Sequence, residues 1–371
     1  MPVKISSIEL FQCRIKLKEP FVISLGSLTH AENLLLIIRT DDGISGFGEC
    51  SPFKTIHGES MQSAFEHAQF LASGMIGKNP LDIAAISFYM DTVLYGNTSV
   101  KSAFDIACHD IAAQHANLPL FQFLGGKNPK ELWTDYTVSY KQPEKMAEDA
   151  LKIKQQGFQF IKVKLGGTLD QDMERMRMIR ETIGDDIPLR IDANQGWDKE
   201  TAIQLLLNLR NANIQFCEEP VSRRSFLDLN EIQEKSPVPV MADESCFDEI
   251  DAKTLIHLKA CDAFNIKLGK SSGIYKAKKI IRLAEENGIE MMAGGFLESR
   301  LGFSAIAHLA ITSDWIKYID FDTPLMFEED PVTGGIAYSA GGKITVPETP
   351  GIGASIDPDF LKRMKSCTIK N

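Results

Sequence analysis

The chain has little that would tie it to a membrane, a nucleic acid or an oxidising compartment. Seven cysteines at 13, 50, 108, 217, 246, 261 and 367 are odd in number and scattered, with no CxxC pair. A disulfide framework and a thiolate zinc site are therefore not expected, and a reducing cytoplasm fits. No apolar run reaches the about 18 residues of a membrane span. The stretches 34–38 and 205–207 are short and read as core. The start, Met1-Pro-Val-Lys-Ile-Ser6, lacks the apolar segment of a signal peptide. No basic run interleaved with aromatics occurs, and the net charge is −10. Nucleic acid and anionic membrane are thus poor partners. Low-complexity segments and long flexible linkers are also missing. What remains is 371 residues of ordinary globular composition, 44% hydrophobic and 24% charged, enough for one large domain or two smaller ones.

Two patterns divide the chain. Alternating apolar positions over 3–16, then 33–40 and 43–50 around Asp41-Asp42-Gly43, predict strands and a hairpin. Apolar spacings of three and four over 60–72 and 99–116 predict helices. Residues 1–125 thus read as a small α+β domain. From about 133, strand-like runs recur at 136–140, 160–165, 189–193, 215–218, 240–243, 263–268, 290–293 and 316–321. Amphipathic helices lie between them, as at 143–156, 169–183, 199–211 and 274–287. Eight alternating units of this size suit a closed parallel barrel over 126–327 better than an open sheet. The tail, 328–371, is expected to return to the first domain.

Carboxylates fall at strand ends in a regular series: Asp192, Glu218 and Asp243, with gaps of 26 and 25 residues. Alone, each would read as a helix cap or a surface ion pair. Together they aim one acid per barrel unit at a common point, where a cation is needed between them. An all-oxygen set without histidine or thiolate suits Mg²⁺ rather than zinc. Cys217 should face away from Glu218 and pack. Lys162 and Lys164 share a strand face, flanked by Phe160, Ile161, Val163 and Leu165. Lys267, four strands on, approaches from the other side. Burial and like charge lower a lysine pKa, making a general base near neutrality. A base on each face of one carbon is what racemisation or epimerisation needs. The proton lost would lie α to a carboxylate, with the cation and an ammonium stabilising the enediolate. His109 and His308 sit on helices and read as structural.

These motifs resemble the enolase superfamily, in its muconate-cycloisomerase-like subgroup. The resemblance spans the chain through Lys162-Val-Lys164, Asp192-Ala-Asn194, Glu218-Glu-Pro220, Asp243-Glu-Ser245, Asn265-Ile-Lys267 and Glu298-Ser-Arg-Leu-Gly302. It implies a (β/α)₇β barrel of the TIM type under an N-terminal α+β capping domain completed by the C-terminal tail. It implies Mg²⁺ on Asp192, Glu218 and Asp243, Lys164 and Lys267 as the acid/base pair, and Lys162 beside the enediolate. A mandelate-racemase-like member would carry a histidine after strand seven, where this chain reads Ala293-Gly-Gly-Phe296. Asp320 and Asp322, on one face at the end of strand eight, resemble the pair by which dipeptide epimerases hold the substrate ammonium. The other reading of Asp322 is a cap on the following turn. Thr137, Ser139, Phe296 and Glu298 are expected at the substrate as well. Members acting on L-Ala-D/L-Glu carry an arginine in the first cap loop, where this chain has Gly26 beside Leu25. Dipeptides with a hydrophobic second residue are therefore expected. Lys54 and His57, in the second cap loop, are the residues that could still reach an acidic side chain. The alternatives are L-Ala-D/L-Glu epimerase, o-succinylbenzoate synthase and N-acylamino-acid racemase. Homo-oligomers are common among similar proteins.

Overall fold

The computed structural model describes residues 2–127 and 129–370. The first domain opens with strands β1 (Ile5–Ile23), β2 (Gly26–Thr40) and β3 (Ser45–Cys50), and helices α1 (Met61–Met75), α2 (Ile83–Val93) and α3 (Thr98–His115) follow. Leu34, Leu36 and Ile38 of β2 pack on these helices. Ala31, Leu35 and Ile37 join the core continuous with the barrel. A sheet covered on both faces needs a continuous apolar run rather than an alternating one, which explains residues 34–38. The last strand, Lys365–Lys370, pairs antiparallel with β1, so the tail completes this sheet.

The barrel strands are β4 (Tyr136–Val138), β5 (Ile161–Lys164), β6 (Leu189–Asp192), β7 (Ile214–Glu218), β8 (Val240–Ala242), β9 (Ala263–Ile266), β10 (Glu290–Gly294) and β11 (Ile316–Asp320). They run parallel in chain order. The backbone N–H of Asp135 donates to the Ile319 carbonyl at 3.3 Å and links the last strand to the first. Helices α4 (Pro143–Gln155), α5 (Leu169–Ile183), α6 (Lys199–Asn208), α7 (Phe226–Lys235), α8 (Glu249–Leu258), α9 (Ile274–Glu286) and α10 (Arg300–Ile311) alternate with them. The chain is thus an α/β protein with a (β/α)₇β barrel and an α+β cap.

The barrel interior is layered by the two-residue period of its strands. Phe216, Met241, Ala263 and Met292 form an apolar floor with Tyr318. Two residues further along each strand come Glu218, Asp243, Asn265, Gly294 and Asp320. Chemistry therefore sits at the carboxyl ends of the strands, above a packed floor. Cys217 lies on the other face, in the core between strands and helices.

Two cap carboxylates bind barrel helix N-termini. Glu49, at the end of β3, accepts from the Ser299 and Gly302 N–H groups, each at 2.9 Å, and from the Ser299 hydroxyl at 2.7 Å. Asp105 of α3 accepts from the Ile274 and Tyr275 N–H groups at the start of α9, which has no side-chain cap of its own. Each acid satisfies orphan donors at the positive end of a helix dipole.

Helix α2 and the final strand were not expected. In α2 only Ile86, Ser87 and Met90 are buried while Phe88 is exposed, so its apolar residues mark no single face. The final strand is a short edge strand whose neighbour β1 lies at the other end of the chain.

Candidate active site

Asp192 and Glu218 end adjacent strands, and Asp243 follows β8. All three side chains are fully buried. Asp192 receives the Asn194 N–H on Oδ1 at 2.8 Å and Lys164 on Oδ2 at 2.6 Å. Glu218 receives the Asn265 amide on Oε1 at 2.7 Å. Asp243 lies between Lys267 on Oδ2 and Lys270 on Oδ1, both at 2.7 Å. The Lys162 ammonium is 2.6 Å from Glu218, 2.8 Å from Asp320 and 3.3 Å from Asp192. A cationic group therefore already lies between two of the three acids.

Burial raises the Glu218 pKa, the Asp192 charge adds to this, and the carboxyl reaches about 7. Burial also opposes ionisation of Asp192 and Asp243. Lys164 and Lys162 outweigh it at the first, and Lys267 and Lys270 at the second, so both are held low. The expected depression of lysine pKa is reversed at two positions. Burial lowers Lys162 and Lys267, but Asp320 and Glu218 around the first, and Asp243 and Glu218 around the second, raise both above the usual ammonium range. The acids around these lysines outweigh both burial and the like charge of neighbouring ammonium groups.

The residues fit a hard divalent cation. The donor set is entirely oxygen. Glu218 Oε2 and Asp243 Oδ1 are buried and accept no well-angled hydrogen bond, touched only by lysine charge.

Lys164 and Lys267 line one cavity from opposite sides of the barrel, with Lys162, Thr137, Asn194, Phe296, Asp320 and Asp322. Phe21, Ile23, Phe53 and Ile56 of the cap roof it. The Lys267 ammonium stands 4.7 Å from the centre of the Phe296 ring. Asp320 binds Lys162, and Asp322 accepts the Thr137 N–H at 2.7 Å. Asp322 begins the turn Thr323–Met326 without capping it through its side chain, so the capping reading does not hold. Burial and the neighbouring Asp320 push the Asp322 carboxyl up to about 7. At Asp320, burial is outweighed by Lys162 and Lys164, and its pKa falls to about 2.

Four of the expected substrate contacts lie outside this cavity. Ser139 lines a neighbouring cleft with Tyr136 and Lys141. Leu25 and Gly26 line an outer cavity of about 330 Å³ with Arg14, His30 and Lys54. Gly26 has φ +143°, which a side chain would strain. Glu298 lies behind the site, accepting the Phe296 N–H near Glu49. His57 packs edge-on against Phe296 with ring centres 4.4 Å apart. Burial, then Lys267 and Lys270, lower its pKa to about 3, so it is neutral. His308 accepts the Phe121 N–H in the core, and His109 lies against Asp105 at 3.1 Å.

Lys270, Asp135 and the roof residues Phe21, Phe53 and Ile56 went unrecognised in the sequence. Lys270 follows Lys267 by three residues, but only the helical turn Leu268–Ser271 shows that it folds back onto Asp243. Among the described residues, no helix is long and apolar enough to cross a membrane.

Residues 5–125 match the mandelate racemase / muconate lactonizing enzyme N-terminal domain, and residues 145–360 match the enolase C-terminal domain-like family. The D-Ala-D/L-Ala epimerase of Cytophaga hutchinsonii is 57% identical over 98% of this chain and 99% of its own. The hydrophobic dipeptide epimerase of Enterococcus faecalis is 37% identical over 95% of this chain and 100% of its own. The crystal structure of a dipeptide epimerase from Cytophaga hutchinsonii, complexed with Mg and D-Ala-L-Val, superposes with a TM-score of 0.98 at 56% identity, covering 99% of this chain and 100% of the other. The chain belongs to the mandelate racemase / muconate lactonizing enzyme family of the enolase superfamily.

Proposed function

We propose that this isomerase of amino-acid derivatives is a Mg²⁺-dependent dipeptide epimerase, inverting Cα of the C-terminal residue of apolar dipeptides. The observation that carries the reading is the Asp320/Asp322 pair in the same cavity as Lys164 and Lys267. It offers a substrate ammonium an anchor beside the two bases. Asp192, Glu218 and Asp243 are the residues that would hold the ion, which when bound neutralises the substrate carboxylate and makes the adjacent Cα–H more acidic. Lys164 and Lys267 face Cα from opposite sides. Each serves as base toward one epimer and acid toward the other. Lys162, protonated among its acids, stabilises the negative charge that develops.

The roof favours an apolar side chain. Among the described residues, the cationic groups that line the cavity are the three lysines, each paired with acid. His57 is neutral, and Lys54 faces the outer cavity. An acidic second residue, as in Ala-Glu, would find no counter-charge at the roof. The substrates of o-succinylbenzoate synthase and N-acylamino-acid racemase carry no ammonium for Asp320 and Asp322.

A dipeptide library in D₂O with Mg²⁺, read by mass spectrometry, tests the proposal. Deuterium should enter the C-terminal Cα of apolar dipeptides and fail to enter after the double change Asp320→Asn, Asp322→Asn. Exchange that survives the double change unharmed removes the ammonium anchor. No exchange from any dipeptide removes the function.

A further inference from the structure

The ammonium anchor has a third acid that the epimerase reading leaves unused. Asp135 precedes β4 and is fully buried. Its Oδ2 accepts from the Arg190 guanidinium at 2.8 Å, and its Oδ1 has no hydrogen-bond partner. A buried acceptor left unpaired costs about 1–3 kcal/mol. One oxygen each from Asp135, Asp320 and Asp322 lies within 4.8 Å of the other two. The centre of such a triangle is at most 4.8/√3, about 2.8 Å, from each oxygen, the length of a charge-assisted ammonium–carboxylate contact.

Charge sets the valence of the ligand. Three carboxylates face Arg190 on Asp135 and Lys162 on Asp320, and Lys162 is shared with Glu218 and Asp192. Burial and the Asp320 charge push the Asp135 carboxyl well above the usual carboxylate range, and Asp322 reaches about 7, so the triad takes up one more positive charge, as a proton or as a cation. A divalent ion of the Mg²⁺ kind keeps several waters, and with Arg190 already on Asp135 and Lys162 on Asp320 its two charges exceed what the triad lacks.

We propose that Asp135, Asp320 and Asp322 form a binding site for a monovalent cation of ammonium size, potassium or ammonium itself, in the substrate-free protein. The dipeptide ammonium then competes with that ion for Asp320 and Asp322. The competition rests on the dipeptide reading, and the binding does not.

Two measurements decide it. Exchange kinetics of alanyl-alanine are compared in potassium chloride and choline chloride at equal ionic strength. KM should rise in proportion to potassium, several-fold at saturating salt, while kcat holds. Crystals of the substrate-free protein soaked in a thallous salt should show an anomalous peak among the three acids, lost in Asp135→Asn. The salt comparison uses the unaltered protein, so it stands even if that variant folds poorly. Equal KM in the two salts and no thallous peak overturn the proposal, leaving a proton on Asp135 in place of a cation. If no dipeptide exchanges in either salt, the dipeptide reading fails and the thallous peak alone decides the site.

Discussion

Lys164 and Lys267 reach one cavity from the second and sixth barrel strands, and at residue scale the proposed function assigns each of them one half-reaction. Lys164→Ala or Lys267→Ala should cut epimerisation by about 10²–10⁴-fold. Each variant should keep solvent exchange into the one epimer its remaining lysine serves. Proton NMR of each epimer in D₂O reads this directly, and two-sided exchange in either variant would falsify the pairing. Glu218 sets a pH dependence. Burial and the Asp192 charge raise its carboxyl from 4.5 to about 7, so below that pH a cation must displace a proton. Mg²⁺ affinity, measured by calorimetry, should fall as pH drops below about 7. A raised acid stabilises the fold fully below its unfolded pKa and loses that contribution as pH rises through its folded pKa. The Glu218 contribution is therefore lost between 4.5 and about 7, and Mg²⁺ should raise Tm more at alkaline pH than at acid pH. A Tm increment independent of pH would contradict this. The placement of the three acids and of Lys162, Lys164 and Lys267 at one end of the barrel was legible in sequence because each sits at the same phase of a repeating unit. Asp135 was not, because it precedes its strand and meets the others only through closure between β11 and β4.

At the scale of elements, β9 and the turn after it do more than deliver Lys267. Asn265 orients Glu218, and Lys270 holds Asp243 through its side chain while donating to the Asp243 and Asn265 carbonyls. Gly294 leaves no room for a Cβ against the Asn265 amide oxygen, which would lie 2.7 Å away, so a side chain there would push the amide off Glu218. Groups that orient metal ligands typically influence affinity by about 10–100-fold. Asn265→Ala and Lys270→Met should each weaken Mg²⁺, read by calorimetry or by Mn²⁺ spin resonance, with Lys270→Arg restoring part of the loss. Unchanged affinity in both would show that the carboxylates hold their geometry unaided. The barrel strands were readable because their period of two is locked to one buried interior. Most of the roof was not, since Phe21 lies near the end of β1 and Phe53 and Ile56 on the loop after β3, where apolar side chains acquire meaning only when the cap docks. For the same reason Leu25 and Gly26, in the loop the sequence singled out, lie over the outer cavity.

At the scale of the whole molecule, the cap must sit on the barrel in one position for the roof to close. Glu49 and Asp105 supply that fit by accepting from the N-termini of α10 and α9. β3, which carries Glu49, runs directly into the loop that bears Phe53 and Ile56. Glu49→Gln replaces an acceptor oxygen with an NH₂ group facing N–H and hydroxyl donors, and leaves buried groups unpaired. The expected cost is about 2–4 kcal/mol. Because the three acids stand on barrel strands, Mg²⁺ affinity should hold while KM for dipeptides rises more than kcat falls. A merely unstable variant would lose metal binding and turnover together as its folded fraction fell. Calorimetric titration of Mg²⁺ alongside dipeptide kinetics, below the Tm of the variant, separates the two. An unchanged KM in a folded Glu49→Gln protein would show that the roof closes without this contact, and that the barrel helix ends do not set the position of the cap.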